Sequence, residues 1–130
     1  METSELEQEL HGALVQDNEL AALLAEGADS VYRMQAPGRE IERYPFVVHT
    51  VISDIPSVSG DNVEMAHSVV MRLHIVTRDG RFCAIYAALN RIMCALGYWR
   101  IQTTPYVEDG EKTLISDYRI GVMANGNGWT

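Results

Sequence analysis

The strongest constraint on the fold is the alternation of apolar and polar residues between Val63 and Thr77. Because successive side chains of a β-strand point to opposite faces, this pattern predicts a long strand with one buried face. Such a face needs a second layer of structure to cover it. The apolar positions are Met65, Val69, Met71, Leu73 and Ile75, and the polar positions that mostly oppose them are Glu64, Ser68, Arg72 and His74.

The residues before this strand predict a second strand followed by a loop. FVVHTVIS, residues 46–53, follows Pro45 and is dense in β-branched residues, which is typical of a strand. DIPSVSGDN, residues 54–62, contains proline, serine and glycine, so we expect a loop there. Farther upstream, residues 31–34 are compatible with a short extended segment, and the polar QAPGREIER, residues 35–43, predicts a loop.

A helix and a hairpin are predicted after the long strand. Asp79 is the expected N-cap of the helix and Gly97 its C-terminal stop. Residues 98–107 and 113–123 are two β-type runs around EDGEK, residues 108–112, which indicates a hairpin with the glycine in its loop. The apolar residues at helical spacing are Phe82, Ile85, Tyr86, Leu89, Met93 and Leu96.

The N-terminal segment predicts one helix followed by a shorter one. Ser4 and Glu7 have the spacing of a capping box at the start of the first helix. Asp17 is the expected N-cap of the second helix, which runs to Glu26 and is ended by Gly27. A single bent helix is the alternative. The apolar stripe of the first helix is Leu6, Leu10, Ala13 and Leu14.

The predicted order of elements is α-(α)-β-β-α-β-β. Strands joined by short turns favour an antiparallel sheet, so we expect an α+β fold with about four strands. The long amphipathic helix and the N-terminal helix are expected to pack on one face of this sheet. Residues 1–124 are expected to form a single domain, and residues 125–130 a flexible C-terminal tail.

The charge of the chain is −8, and the acidic excess lies at one end. Residues 1–29 contain eight acidic residues and no Lys or Arg, whereas the rest of the chain carries ten acids and ten bases. An acidic total argues against nonspecific nucleic-acid binding, which needs cations facing phosphates. The apolar runs are shorter than the ~18–20 residues of a membrane span, and the N-terminus does not resemble a secretory signal. We expect no membrane association and a reducing, cytoplasmic setting.

Both cysteines lie on the predicted helix, in RFCAIYAALNRIMCALGYWR, residues 81–100. Eleven residues separate Cys83 from Cys94, a rise of ~16 Å in a helix, whereas a disulfide needs Cα atoms within ~7 Å. The same separation prevents them from sharing a metal ion. A nucleophilic cysteine needs a histidine partner and an electropositive setting, and the sequence places neither. We therefore interpret both cysteines as small packing residues.

The histidines offer at most a two-residue site. His67 and His74 are seven residues apart, so they face opposite sides of an unbulged strand. His49, on the neighbouring predicted strand, could meet one of them across the sheet. His11 lies on the acidic helix and is expected to be solvated.

Three carboxylates flank the predicted loop 54–62, those of Asp54, Asp61 and Glu64. They lack the ligand spacing of an EF-hand, so we interpret them as solvated acids rather than a cation site. The chain also lacks the P-loop, dinucleotide-binding, zinc-protease, serine-hydrolase and CxxC motifs. We therefore predict that the protein is not an enzyme, and we assign no catalytic, cofactor-binding or metal residue.

Tyr98 and Trp99 begin a predicted strand, so their side chains point to opposite faces. One is expected in the core and the other at the surface. An exposed aromatic residue here is either an interface anchor or ordinary sheet packing.

Four segments in this order resemble the small tail-terminator, or tail-completion, proteins of long-tailed bacteriophages. The segments are YPFVVHTVISDIP, MAHSVVMRLHIVTRDG, NRIMCALGYWR and ISDYRIGVM. The resemblance covers roughly residues 5–123 and depends on three features. These are a Tyr-Pro pair that enters the first long strand, a helix exit of the form I-M-x-x-L-G-Y-x-R, and a final Tyr-Arg strand.

The resemblance implies a structural role in the virion, at the head–tail junction, with the host cytoplasm as the place of assembly. Such proteins have an antiparallel sheet backed by helices and form a ring, usually of six subunits, that caps the tail tube and joins it to the head. The implied partners are copies of the chain, the tail tube protein, a head-completion or connector protein, and DNA that passes without specific binding. The family has no catalytic residues to carry over.

Three alternatives remain open from the sequence. A head-completion or minor capsid protein belongs to the same structural class. A small ligand-binding domain or enzyme would need a pocket with converging polar groups. Within the ring hypothesis, the acidic residues 1–29 face the lumen and repel DNA, or they form a solvated outer helix.

Overall fold

The computed structural model describes residues 2–34, 43–60 and 63–123. The helices are α1 (Thr3–Gln16), α2 (Asn18–Leu23) and α3 (Cys83–Ala95), with a 3-10 turn at Gly27–Ser30. The strands are β1 (Val31–Arg33), β2 (Phe46–Gly60), β3 (Val63–Thr77), β4 (Trp99–Glu108) and β5 (Glu111–Met123). None of the helices in these ranges is long and apolar enough to cross a membrane. The expected domain end at residue 124 and the tail 125–130 lie outside the described residues.

The predicted α+β fold is confirmed. The strands form one sheet in the order β1-β2-β3-β5-β4, in which β1 is parallel to β2 and all other neighbours are antiparallel. The sheet therefore has five strands rather than about four, because the short segment 31–33 pairs with residues 47–49.

The helices cover one face of the sheet, and the alternation of β3 explains why. Val69, Met71, Leu73 and Ile75 are all buried, and they join the leucines of α1 and the apolar face of α3 in one core cluster. Leu6, Leu10 and Leu14 are the buried residues of α1, and those of α3 are Ile85, Ala88, Leu89, Ile92 and Met93. The opposite face, which we call the open face, carries no helix in the described part of the chain.

The predicted loop is wrong for residues 54–60, and its last two residues, 61–62, lie outside the described part of the chain. The chain continues as β2 to Gly60 and pairs with β3, with irregular register near Ile52 and Ser57. Pro56 is compatible with this strand because, among the described residues, β1 pairs only with residues 47–49 and leaves the rest of β2 at the edge of the sheet, where proline is tolerated.

The predicted hairpin between β4 and β5 is confirmed. Asp109 and Gly110 connect the strands with φ angles of 49° and 81°, the left-handed pair that a two-residue type I′ turn requires. Gly97, with φ at 97°, follows α3 as expected.

The helix starts differ from the prediction at two places. The first helix begins at Thr3, where the Glu5 carboxylate accepts from the backbone N–H of Glu2 at 3.0 Å, so Ser4 and Glu7 are not the capping pair. The third helix begins at Cys83, and Asp79 instead accepts from the N–H of Arg81 in the preceding turn.

The second helix has its predicted cap but is shorter than expected. The side chain of Asp17 accepts from the N–H of Leu20 at 2.9 Å, which confirms it as the N-cap. The helix ends at Leu23 rather than Glu26, and Gly27, with φ at 58°, begins the 3-10 turn.

Candidate assembly surface

The two lateral edges of the sheet are open in different ways. On one side, β5 is the only described strand that pairs with β4, and every residue of β4 except Thr103 is exposed. On the other side, β1 covers β2 at residues 47–49, and the N–H of Met34 adds a hydrogen bond to the His49 carbonyl. Beyond His49, the stretch Thr50–Gly60 has β3 on one side and no other described strand on the second. We call β4 and Thr50–Gly60 the two open edges.

The large exposed apolar side chains of the described residues lie on or beside these edges. Trp99 is 53% exposed and Tyr106 is 49% exposed on β4, while Ile55 is 54% exposed on β2. We interpret these exposed apolar side chains, which follow the two open edges, as candidate contact residues for a partner. The complete set is Met34, which directly follows β1, Ile52 and Ile55 on β2, and Trp99, Ile101, Tyr106 and Val107 on β4.

The pair Tyr98 and Trp99 follows the sequence prediction. Tyr98 is buried and Trp99 is exposed. Burial, with a smaller contribution from Glu9, raises the pKa of Tyr98. Trp99 is therefore available as an anchor on β4.

An ion pair on the open face holds β4 to the centre of the sheet. The guanidinium of Arg72 on β3 donates to both carboxylate oxygens of Asp117 on β5, at 2.8 and 3.0 Å. Gln102 on β4 donates to the same carboxylate at 2.8 Å. Asp117 is buried, and the hydrogen bond from Arg72 holds the pKa of its carboxyl below the ordinary value. This group could not be predicted from the sequence, because the three residues are brought together only by strand pairing.

The cysteines are not packing residues. Cys83 and Cys94 are both free, as the spacing predicted, but both are exposed. The buried face of α3 is formed by other residues, among them Leu89 and Met93, so the two cysteines lie outside the core.

The predicted contact of His49 with His67 or His74 is not formed, and His49 instead meets His11. His49 Nε2 lies 2.9 Å from Nδ1 of His11 on α1, so His11 is not simply solvated. Burial, aided by repulsion from His11 and Arg33, lowers the pKa of His49 to about 4. The pair joins α1 to β2. Since the pKa of His11 is also lowered by burial, both imidazole rings are uncharged at neutral pH.

The other predicted polar groups are also used between elements. His67 is buried, and its Nδ1 lies 2.6 Å from Oδ1 of Asp54, whose other oxygen, Oδ2, accepts from the Thr3 hydroxyl. Asp54 therefore ties β3 and α1 to β2 rather than serving as a solvated loop acid. The side chains of Asp61 and Glu64 lie outside the described part of the structure. Among described residues, no group of three His, Cys, Asp or Glu side chains could hold a metal ion.

A cleft of about 370 Å³ lies between the start of α3 and the end of β3. Its polar lining offers little to a small ligand, since Arg81 and Asp79 are largely exposed. The Thr77 hydroxyl is engaged with the Lys112 carbonyl and the Gly80 N–H. The lining residues are Leu23, Tyr44, Pro45, Thr77, Arg78, Asp79, Arg81, Ala84 and Ile85.

Comparison with known proteins shows the fold. No protein-family model and no curated protein matches the chain. A solved structure described as the virion of a native gene transfer agent particle contains a similar chain, with a TM-score of 0.61 and 18% identity over 88% of this chain and 92% of that one. A second solved structure, without a functional description, has a TM-score of 0.50 and 13% identity over 91% and 96% of the two chains. At these identities, the likeness establishes a shared α+β architecture.

Proposed function

We propose that this chain is a structural subunit of a phage-like particle, and that it acts as a tail terminator: a ring that caps the tail tube and joins it to the head. The observation that carries the proposal is the likeness to a chain of the gene transfer agent virion, which covers nearly the whole of both chains. The ordered segments that resemble tail-terminator proteins support the same role independently of the structure.

The two open edges fit a ring subunit. A closed ring uses a heterologous interface, in which one surface of each copy meets a different surface of the next. Exposed apolar residues occur on both lateral edges of the sheet, as such an interface requires. The proposed partners are the other copies of the chain in a ring of six, the tail tube protein, and a head-completion or connector protein.

The proposal is structural rather than enzymatic. The polar groups that sequence reasoning singled out for chemistry are used to join elements, as in the contact between His11 and His49 and that between His67 and Asp54. The first contact joins α1 to β2 and the second joins β3 to β2, so both groups have a structural use that needs no substrate.

The acidic helix and the open face cannot both line the lumen, because they lie on opposite sides of the sheet. Lumen-facing α1 would repel passing DNA through Glu5 and Glu9, whereas an inward open face would leave α1 on the outside. We propose the first arrangement on charge grounds, and a ring image that places α1 outside would refute it.

Native mass spectrometry, with and without purified tail tubes, tests the proposed function. Six copies of a 14.5-kDa chain predict a ring of about 87 kDa, formed alone or on the tube end. Capping of one tube end and arrest of tube elongation would separate a tail terminator from a head-completion or minor capsid protein. The proposal would be refuted if the protein stayed monomeric, did not bind tail tubes at any concentration, and bound a small ligand.

A further inference from the structure

We infer that copies of this chain join by antiparallel pairing of β4 of one copy with the stretch Thr50–Gly60 of the next, so that one sheet continues around the assembly. The inference rests on the proposed function for its ring context, and it names the two surfaces that meet. Three observations support it: the lengths of the two open edges, their relative direction, and their exposed side chains.

The two edges match in length. The outer strand β4 contains 10 residues, and the uncovered part of β2 extends from Thr50 to Gly60. At roughly 3.3 Å per residue, β4 presents about 33 Å of backbone and Thr50–Gly60 about 36 Å. Both strands have one side unpaired among the described residues, and an edge strand of this length is a template for pairing with another chain.

The directions of the strands permit the more favourable type of pairing. From β2 through β3 and β5 to β4, every neighbouring pair is antiparallel. Three reversals leave β4 running opposite to β2. When identical copies follow one another around a ring, β4 of one therefore meets β2 of the next in antiparallel orientation, which is slightly more stable per residue than parallel pairing.

The exposed side chains favour this heterologous contact over a two-fold dimer. Ile55 pairs with Ser68 of β3, and Tyr106 pairs through Thr113 of β5 with Val76 of β3. Ser68 and Val76 are on the same face of β3, so Ile55 and Tyr106 both lie on the open face. Edge-to-edge pairing would bring them onto one continuous surface, where aromatic and aliphatic cross-strand neighbours stabilise a sheet. A dimer made by two β4 strands would leave Ile52 and Ile55 exposed.

Each edge also contains a proline and a bulge, which limit indiscriminate stacking. Pro56 and Pro105 each lack an N–H, and register shifts occur near Ile52 and Ile101. The pairing is therefore incomplete along its length. We expect an interface that depends on protein concentration or on the tube end as a template.

Blocking each edge separately provides the test. The β4-blocked variant is Ile101→Lys/Tyr106→Lys, and the β2-blocked variant is Ile52→Lys/Ile55→Lys. We expect each to be monomeric alone, under conditions in which the wild type forms rings, with tube protein present if the wild type needs it. An equimolar mixture retains one intact interface, so it should give a heterodimer of about 29 kDa and nothing larger.

The matched control adds two lysines at exposed positions away from both edges, Cys83→Lys/Cys94→Lys on α3. This control should assemble as the wild type does, and circular dichroism should show that all variants are folded. Blocked variants that still form rings would overturn the edge inference while leaving the proposed function intact. A β2-blocked variant that dimerises alone would overturn it in favour of β4 pairing with itself. A wild type that never assembles, even on tubes, would refute the proposed function and the inference together.

Disulfide trapping gives a second measurement that does not depend on affinity. In a background without the native cysteines, one cysteine replaces Ser53 or Ile55 and another replaces Thr104 or Tyr106, all on the open face. The four combinations sample three neighbouring registers. At least one should yield a ladder of covalent oligomers on oxidation, and monomer from all four would contradict the pairing.

Discussion

Replacing Arg72 with methionine should destabilise the fold by about 3 kcal/mol at neutral pH, because it leaves the buried Asp117 carboxylate without its cation. Asp117 is 2% exposed and would lose two hydrogen bonds, of 2.8 and 3.0 Å, while keeping the one from Gln102. Breaking a buried ion pair costs about 3–5 kcal/mol. The lower end applies here because the side chain of Arg72 is 34% exposed, so solvent already screens the pair.

The pH dependence distinguishes a lost charge partner from lost packing. In the wild type, the hydrogen bond from Arg72 lowers the pKa of Asp117 below 3.8, so the pair contributes stability above that pH and loses it as the pH falls. In the variant, burial raises the pKa of the same carboxyl, and the charged form destabilises the fold as the pH rises. The difference between the two proteins should therefore narrow from pH 7 to pH 4.5. The pKa of His74 is lowered by burial and then by Arg72. Without Arg72 the pKa of His74 rises, which also narrows the stability difference as the pH falls.

Urea unfolding at pH 7 and pH 4.5 measures both effects. The matched control is Arg119→Met, an exposed arginine on the same face of β5, which should change the free energy of unfolding by less than about 0.5 kcal/mol. A loss below about 1 kcal/mol for the Arg72 variant, or a loss equal at the two pH values, would refute the reasoning.

Three further changes follow from single features of the fold. Replacing both Cys83 and Cys94 with serine should alter stability by less than about 0.5 kcal/mol, and both thiols should react with maleimide in the folded protein; protection of either would contradict their exposure. Because the pKa of His49 is lowered to about 4, this residue alone should cost the wild type about 2 kcal/mol between pH 7 and pH 5 as the unfolded chain gains the proton. His49→Gln should remove this part of the slope and leave the contributions of His11 and His74, whose pKa values are also lowered by burial; an unchanged slope in thermal unfolding would rule it out. Gly97→Ala should cost about 1–2 kcal/mol because φ there is 97°, whereas Gly12→Ala, with open space around it on a helix, should be neutral or stabilising.

The parts of the fold that depend on short-range periodicity were predictable from the sequence. The alternation of β3, the leucine stripe of α1 and the Asp-Gly hairpin each specify local geometry, and the structure has all three. The contacts between elements were not predictable, because they depend on register. His11 and His49 are 38 residues apart in sequence, and Arg72 and Asp117 are 45 apart. Nothing local to either residue specifies its partner.

The one large error in the predicted elements has a physical cause that bears on function. DIPSVSG, residues 54–60, reads as a loop because proline lacks a donor and serine and glycine have low strand propensity. Those penalties apply to a strand with neighbours on both sides, and they weaken at an edge, where one row of backbone groups has no ladder to complete. A segment with the composition of a loop can therefore form a strand when it lies at the edge of a sheet. In this chain the error falls on the stretch that we propose to receive β4 of the next copy, so the place where local rules fail is also the place left open for a partner.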